Sequence, residues 1–188
     1  KPYLFAIYCF RNRTLEPIEN LKFFEFFDFD IYGQEHYKTN LVKYDTENQV
    51  IYQFDKSKGE KNSLIAGIGS GSRYKPSHYE GNTPGEIVIT EDQYREHLRD
   101  IGSFGPEDCA VALEWEHGPL YPDQLIEFPV MMVFGFGEKE FKKNCLEARE
   151  HLERIIPTIF NSVEDKFRQI IDPELEKMGF SMRQWCKD

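Results

Sequence analysis

The sequence predicts an α+β domain, a mostly antiparallel sheet followed by C-terminal helices. Three observations carry this reading. Short aromatic and apolar runs alternate with polar turns through residues 1–136, as serial hairpins do. Beyond residue 137 the apolar residues recur at helical spacing instead: Phe141, Cys145, Ala148, Leu152 and Ile155. Strands and helices are segregated along the chain, which argues against a parallel sheet built from βαβ units.

Taken in order, residues 2–10 predict a buried first strand. Tyr3, Leu4, Phe5, Ala6, Ile7 and Tyr8 form an apolar run too short for a helix. Within 23–32, Phe27, Phe29 and Ile31 alternate with Asp28 and Asp30, the period of a strand with one wet face. The first part of that segment also suits a helical turn. Residues 41–44 and 49–54 flank Asp45-Thr46-Glu47-Asn48 and predict a hairpin. A short strand follows at 63–68. Residues 69–85 carry Gly69, Gly71, Gly81, Gly85, Pro76 and Pro84, and predict a long loop, a favoured place for a functional segment. A strand at 86–89 leads to Thr90, which with Gln93 makes a capping box for a helix over 91–101. Strands at 109–115 and 127–136 flank a rigid turn containing Gly118-Pro119 and Tyr121-Pro122. Pro157 is expected to interrupt the C-terminal helix. A second stripe, Phe160, Val163, Phe167, Ile170 and Ile171, predicts a further helix closed by Pro173. Residues 174–185 are expected to fold back on the body.

A chain of 188 residues suits one domain, 1–188, mainly β to residue 136 and helical from 137. At 40% hydrophobic and 30% charged residues it is globular rather than disordered. Aromatic residues make up 15%, enough to fill a core and leave some for a contact surface. The net charge of −10 opposes binding to nucleic acid or anionic membranes and favours a basic protein partner. No apolar run approaches the ~20 residues of a membrane helix. Cys9, Cys109, Cys145 and Cys186 are too widely spaced for a CxxC pair or a zinc finger. Free thiols are therefore expected in a cytoplasmic chain, whereas a periplasmic chain, with a signal peptide before Lys1, leaves two disulfides open.

Few motifs offer chemistry. Gly67-Ile68-Gly69-Ser70-Gly71-Ser72 follows a strand, as a phosphate loop would, but it lacks the third glycine and the GK[ST] ending. It also fails the GxSxG elbow, so a plain turn is the expectation. Glu114-Trp115-Glu116-His117 is the most site-like cluster. On a strand, Glu114 and Glu116 share one face, and Trp115 and His117 the other. The carboxylates suit acid–base work, a divalent cation or an acidic contact patch edged by an aromatic residue. Tyr121, Asp123 and Glu127 lie close in sequence. Asp28 and Asp30, with Glu25 and Glu35, form a second acidic patch interleaved with Phe24, Phe26 and Tyr32. His36, His78, His97, His117 and His151 show no zinc-like spacing, so neither a metal nor another cofactor is expected. A Cys109–His117 nucleophile pair would have to be assembled by the fold. The mixed Lys, Arg and Glu of 138–154 form a solvated helix face.

In size, charge, the Asp28/Asp30 and Glu114/Glu116 patches and the lack of enzyme motifs, the chain resembles bacterial immunity proteins of polymorphic-toxin and type VI secretion systems. The likeness is one of class, and no motif residue carries over. It implies a binding protein that neutralises a cognate toxin by occluding it, with Asp28, Asp30, Glu114, Trp115, Glu116, His117, Tyr121 and Asp123 as the expected contact residues. One alternative is a hydrolase or nucleotide-handling enzyme whose site joins the 69–85 loop to Glu114, Glu116 and His117. Another is a sensor or adaptor domain of a defence system.

Overall fold

The structure, a computed structural model, describes residues 1–87 and 96–177, with 164 and 166–177 described by backbone alone. Two compact units divide the chain, Lys1–Glu153 and Arg154–Asp188. The strands are β1 Tyr3–Arg11, β2 Leu21–Phe27, β3 Asn40–Asp45, β4 Val50–Asp55, β5 Leu64–Gly69, β6 His78–Asn82, β7 Ser103–Glu107, β8 Ala110–His117 and β9 Leu125–Phe136. The helices are a single turn, α1 Pro84–Ile87, and the long α2 Glu138–Lys177. The fold is α+β, as the sequence predicts. A six-stranded sheet runs β1-β9-β5-β4-β3-β7 and a three-stranded sheet runs β2-β8-β6, with antiparallel pairing throughout.

The two sheets face each other in the first unit. Val111, Leu113 and Trp115 of β8 pack with Val42, Ile51, Ile68, Phe128 and Val130 of the larger sheet. Phe23 extends this core, its ring stacked 5.1 Å from that of Phe128. Fixed, fully apolar contacts of this kind supply most of a domain's stability. On the opposite face of the larger sheet, the start of α2 buries Phe141, Cys145, Ala148 and Leu152. The helix comes close because β5 and β9 present glycine there. A Cβ on Gly135 would lie 2.6 Å from Phe141 Cα, and one on Gly67 would lie 3.0 Å from Phe141 Cζ. Facing outward, α2 carries charge pairs such as Glu138–Lys142 at 2.8 Å, the solvated face expected from the sequence.

Several sequence expectations are corrected. The first strand is an edge strand with Leu4 63% exposed, not a fully buried one. β2 ends at Phe27, so the Asp28–Ile31 alternation lies beyond it. The chain turns there through positive φ at Asp30 (42°) and Tyr32 (66°), conformations a strand cannot hold. The 69–85 loop shrinks to the segment before β6. Gly81, which suggested a loop, instead lets β6 lie against the Val42 side chain, the reason a strand interior accepts glycine. Residues 86–87 are helical rather than extended, and 96–101 are not helical. The capping box and the rest of those two elements lie outside the described residues. β7 lies between the helix expected over 91–101 and the strand expected at 109–115, where the sequence predicts no element. α2 runs on through Pro157 and Pro173. A proline removes one backbone bond and strains the preceding turn, and here the helical neighbours on both sides carry the helix across.

Candidate functional site

The outer face of the three-stranded sheet gathers the polar side chains that best suit chemistry. Antiparallel pairing puts Lys22 opposite Glu116, and Glu114 between Phe24 and His78. Period two then aims Lys22, His78, Glu114 and Glu116 to the same side. Further along this face, Ala110 and Ala112 pack with Ile87 and Leu98. Their small size leaves room for the 96–101 segment to cross the sheet.

Two carboxylates with no solvent exposure hold that segment down. Glu114 accepts a hydrogen bond from the Leu98 N–H at 2.8 Å. Glu80 accepts one from the Arg99 N–H at 2.9 Å and another from Arg99 Nε at 2.7 Å, with a further contact from the guanidinium. Burial alone would raise the Glu80 pKa, but the Arg99 and Asn82 hydrogen bonds hold it below the usual glutamate value. In return, Asp100 Oδ1 accepts the Tyr79 N–H at 3.2 Å. Buried carboxylates that accept backbone donors serve first to fix the chain.

At the rim of this face the segment delivers His97 beside His78, ring centres 4.8 Å apart. His97 Nδ1 lies 3.1 Å from Glu114 Oε1 and 3.3 Å from Glu116 Oε1. Lys22 Nζ stands 3.4 Å from the same nitrogen. His78 Nδ1 lies 2.9 Å from Asp100 Oδ2. One donor atom from each of His78, His97 and Glu116 falls within a 4.8 Å set.

A second polar cluster lies at the other end of the β2–β8 ladder. Asp28 and Asp30 leave β2, and Asp108 sits just before β8. Their carboxylates come within 4.8 Å of one another. Among the described residues no cation pairs with them. Burial, then repulsion from Asp30 and Asp108, raises the Asp28 pKa above the usual aspartate value. No protein-family model and no curated protein sequence matches this chain. The site's meaning therefore rests on its own geometry.

The structure separates the residues expected to share one contact surface. Asp28 and Asp30 are exposed and gain Asp108. Glu116 is exposed, whereas Glu114 is buried and already bonded, which corrects the expectation of an open Glu114/Glu116 face. Trp115 belongs to the core, its Nε1 donating to Tyr74 O at 2.7 Å. His117 faces away from Glu116, with Nδ1 2.8 Å from Gly118 O. Tyr121 is 58% exposed on the β8–β9 turn. Asp123 pairs there with Arg11, whose Nε lies 2.6 Å away. Glu127 joins neither group; it is buried and accepts the Tyr74 hydroxyl. Cys109 lies just before β8 and His117 at the far end of that strand, so no nucleophile pair forms. Burial pushes the Cys109 thiol up to about 12.

Sequence reasoning missed Lys22, His78, Glu80, His97, Arg99, Asp100 and Asp108 as site residues. Only Lys22 carried a signal, since it continues the outward phase of Phe24 and Phe26. His78 and Glu80 lie on β6, within residues the sequence predicts as loop, and the others reach the site through the 96–101 crossing and the β7–β8 turn, which no local pattern encodes.

Proposed function

We propose that this chain is an acidic protein-binding module that captures a basic partner. The observation that carries the reading is the Asp28–Asp30–Asp108 cluster beside the edge strand β2. Three carboxylates crowd together without a described counter-charge, so their mutual repulsion is relieved when a lysine or arginine arrives. Next to them β2 ends its sheet, and Phe24 and Phe26 are 37% and 39% exposed. An edge strand offers unpaired backbone donors and acceptors to an incoming segment, and aromatic side chains supply buried area. The net charge of −10 steers a positive partner toward this surface. An immunity protein that occludes a basic toxin is the finer form of the same reading, in keeping with the class the sequence resembles.

The test is binding to the product of the neighbouring gene, purified separately. Calorimetry should give one-to-one binding that weakens as salt rises. Asp28→Lys with Asp30→Lys should raise Kd by about tenfold or more per reversed charge. Unchanged affinity in that variant removes the patch from the account. A neighbouring product that is acidic, or that does not bind, removes the immunity reading.

A further inference from the structure

We propose that His78, His97 and Glu116 form a binding site for a divalent transition-metal ion of the zinc type. The inference does not depend on the partner reading, because the site lies at the opposite end of the β2–β8 ladder from Asp28 and Asp30.

The donor set is the first argument. Two imidazoles and one carboxylate, each offering one atom within 4.8 Å of the others, make a ligand set that zinc accepts while keeping a fourth position for water. Donors on one tetrahedral zinc stand about 3.3 Å apart, given bonds of about 2.0–2.1 Å. His97 Nδ1 and Glu116 Oε1 already stand 3.3 Å apart. Nitrogen donors of this kind disfavour calcium and magnesium, which prefer oxygen.

The surroundings are the second argument. His78 Nδ1 is held by Asp100 Oδ2 at 2.9 Å, and Asp100 is itself fixed by the Tyr79 N–H. Metal-bound histidines almost always donate their other ring N–H to a carboxylate, a backbone carbonyl or water, which sets the ring and its tautomer, and Asp100 is placed to serve here. Glu114, with no solvent exposure, adds a fixed negative charge 3.1 Å from His97 Nδ1. The three ligands come from β6, β8 and the 96–101 crossing, so an ion there would tie the crossing to the sheet.

Lys22 is the resident competitor. Its ammonium lies 3.7 Å from Glu116 Oε1 and 3.9 Å from Glu114 Oε1, where the field favours a cation. It also donates to the Glu96 carbonyl, which gives it a place to withdraw. Lys22→Met keeps the apolar stem and removes the competing charge.

The full chain, stripped with a chelator, should be titrated with Zn2+ by calorimetry and with Co2+ by visible absorption. One equivalent should bind, and Co2+ should show the intense bands of a four-coordinate site. Lys22→Met should tighten binding by about tenfold or more. Asp100→Asn should weaken it by about 10–100-fold. His78→Ala with His97→Ala should abolish it, with circular dichroism reporting that the variant is folded. If that double variant does not fold, chemical-shift changes at the His78 and His97 imidazoles of the unmodified chain decide the matter. The proposal is overturned if neither the unmodified chain nor Lys22→Met binds one equivalent, if the folded double-histidine variant binds as well as the parent, or if the ion perturbs other histidines instead. Asp28→Lys with Asp30→Lys should leave metal affinity unchanged, and loss of binding there would relocate the ion and also overturn the proposal.

Discussion

Glu80 shows how a single buried charge can serve the fold rather than chemistry. It is fully enclosed, yet the Arg99 backbone and guanidinium and the Asn82 amide all donate to it. Its pKa is lowered in the fold, so the ionised form contributes stability above the unfolded glutamate value of about 4.3. That contribution is lost as pH falls through the lower folded value. Acid unfolding should therefore steepen below about pH 4, and Glu80→Gln should flatten that limb. At pH 7 the same variant should lose about 1–2 kcal/mol by urea denaturation. Arg99 is 36% exposed and water replaces part of what it loses, which keeps the cost at the low end. The thiols behave in the opposite sense. Burial pushes Cys109 and Cys145 up to about 12, so both remain thiols at neutral pH. Mass spectrometry after iodoacetamide treatment at pH 8 should find them unmodified in the native chain and alkylated in urea. Native labelling of either would show that its segment opens.

The packing of α2 on the larger sheet is controlled by what is absent from two strand positions. Gly135 lies under Phe141, whose backbone would meet a new Cβ at 2.6–2.7 Å. Backbone cannot rotate aside as a side chain can, so Gly135→Ala must lift the helix start. Overpacking of this kind costs about 1–3 kcal/mol. Gly67→Ala should be costly as well, because a Cβ there would meet Tyr52 Cβ at 2.7 Å and the Ile51 carbonyl oxygen at 2.8 Å before the Phe141 ring tip at 3.0 Å. A lower urea midpoint for Gly135→Ala than for the parent chain would bear this out, and an unchanged midpoint would mean that the helix start does not depend on that glycine. Thus a helix recognised from its apolar stripe, Phe141, Cys145, Ala148 and Leu152, depends for its seat on glycines from strands before it. The stripe was legible in the sequence, whereas the need for Gly135 appears only when the helix is placed.

Across the whole molecule, charge is distributed unevenly. Carboxylates such as Glu80 and Asp123 are matched by Arg99 and Arg11, whereas Asp28, Asp30 and Asp108 have no cation paired with them among the described residues. If the cluster steers a basic partner, association should slow steeply from 50 to 300 mM salt, roughly as the screening length shortens below 10 Å. Dissociation should change less. Equal rates at both salts, measured by stopped flow, would show that the charge of −10 acts only on solubility. Among the described residues no helix is long and apolar enough to cross a membrane.

The sequence by itself determined the elements whose signal is local. Residues 41–54 announce a hairpin because polar turn residues separate two apolar runs. Residues 109–115 and 127–136 announce strands, and the α2 stripe announces its helix, because each pattern repeats within its own element. The acidic character was legible from composition and the nearness of Asp28 to Asp30 from their spacing, although the alternation there belongs to a turn and not to a strand. The tertiary structure alone decided which carboxylates face water. Glu114 and Glu116 share a strand face and a chemistry. They differ in fate because the 96–101 crossing lies over one and stops short of the other. The same crossing brings His97 to His78, and the β7–β8 turn brings Asp108 to Asp28. Burial depends on contacts between segments distant in sequence, and no local period carries that information.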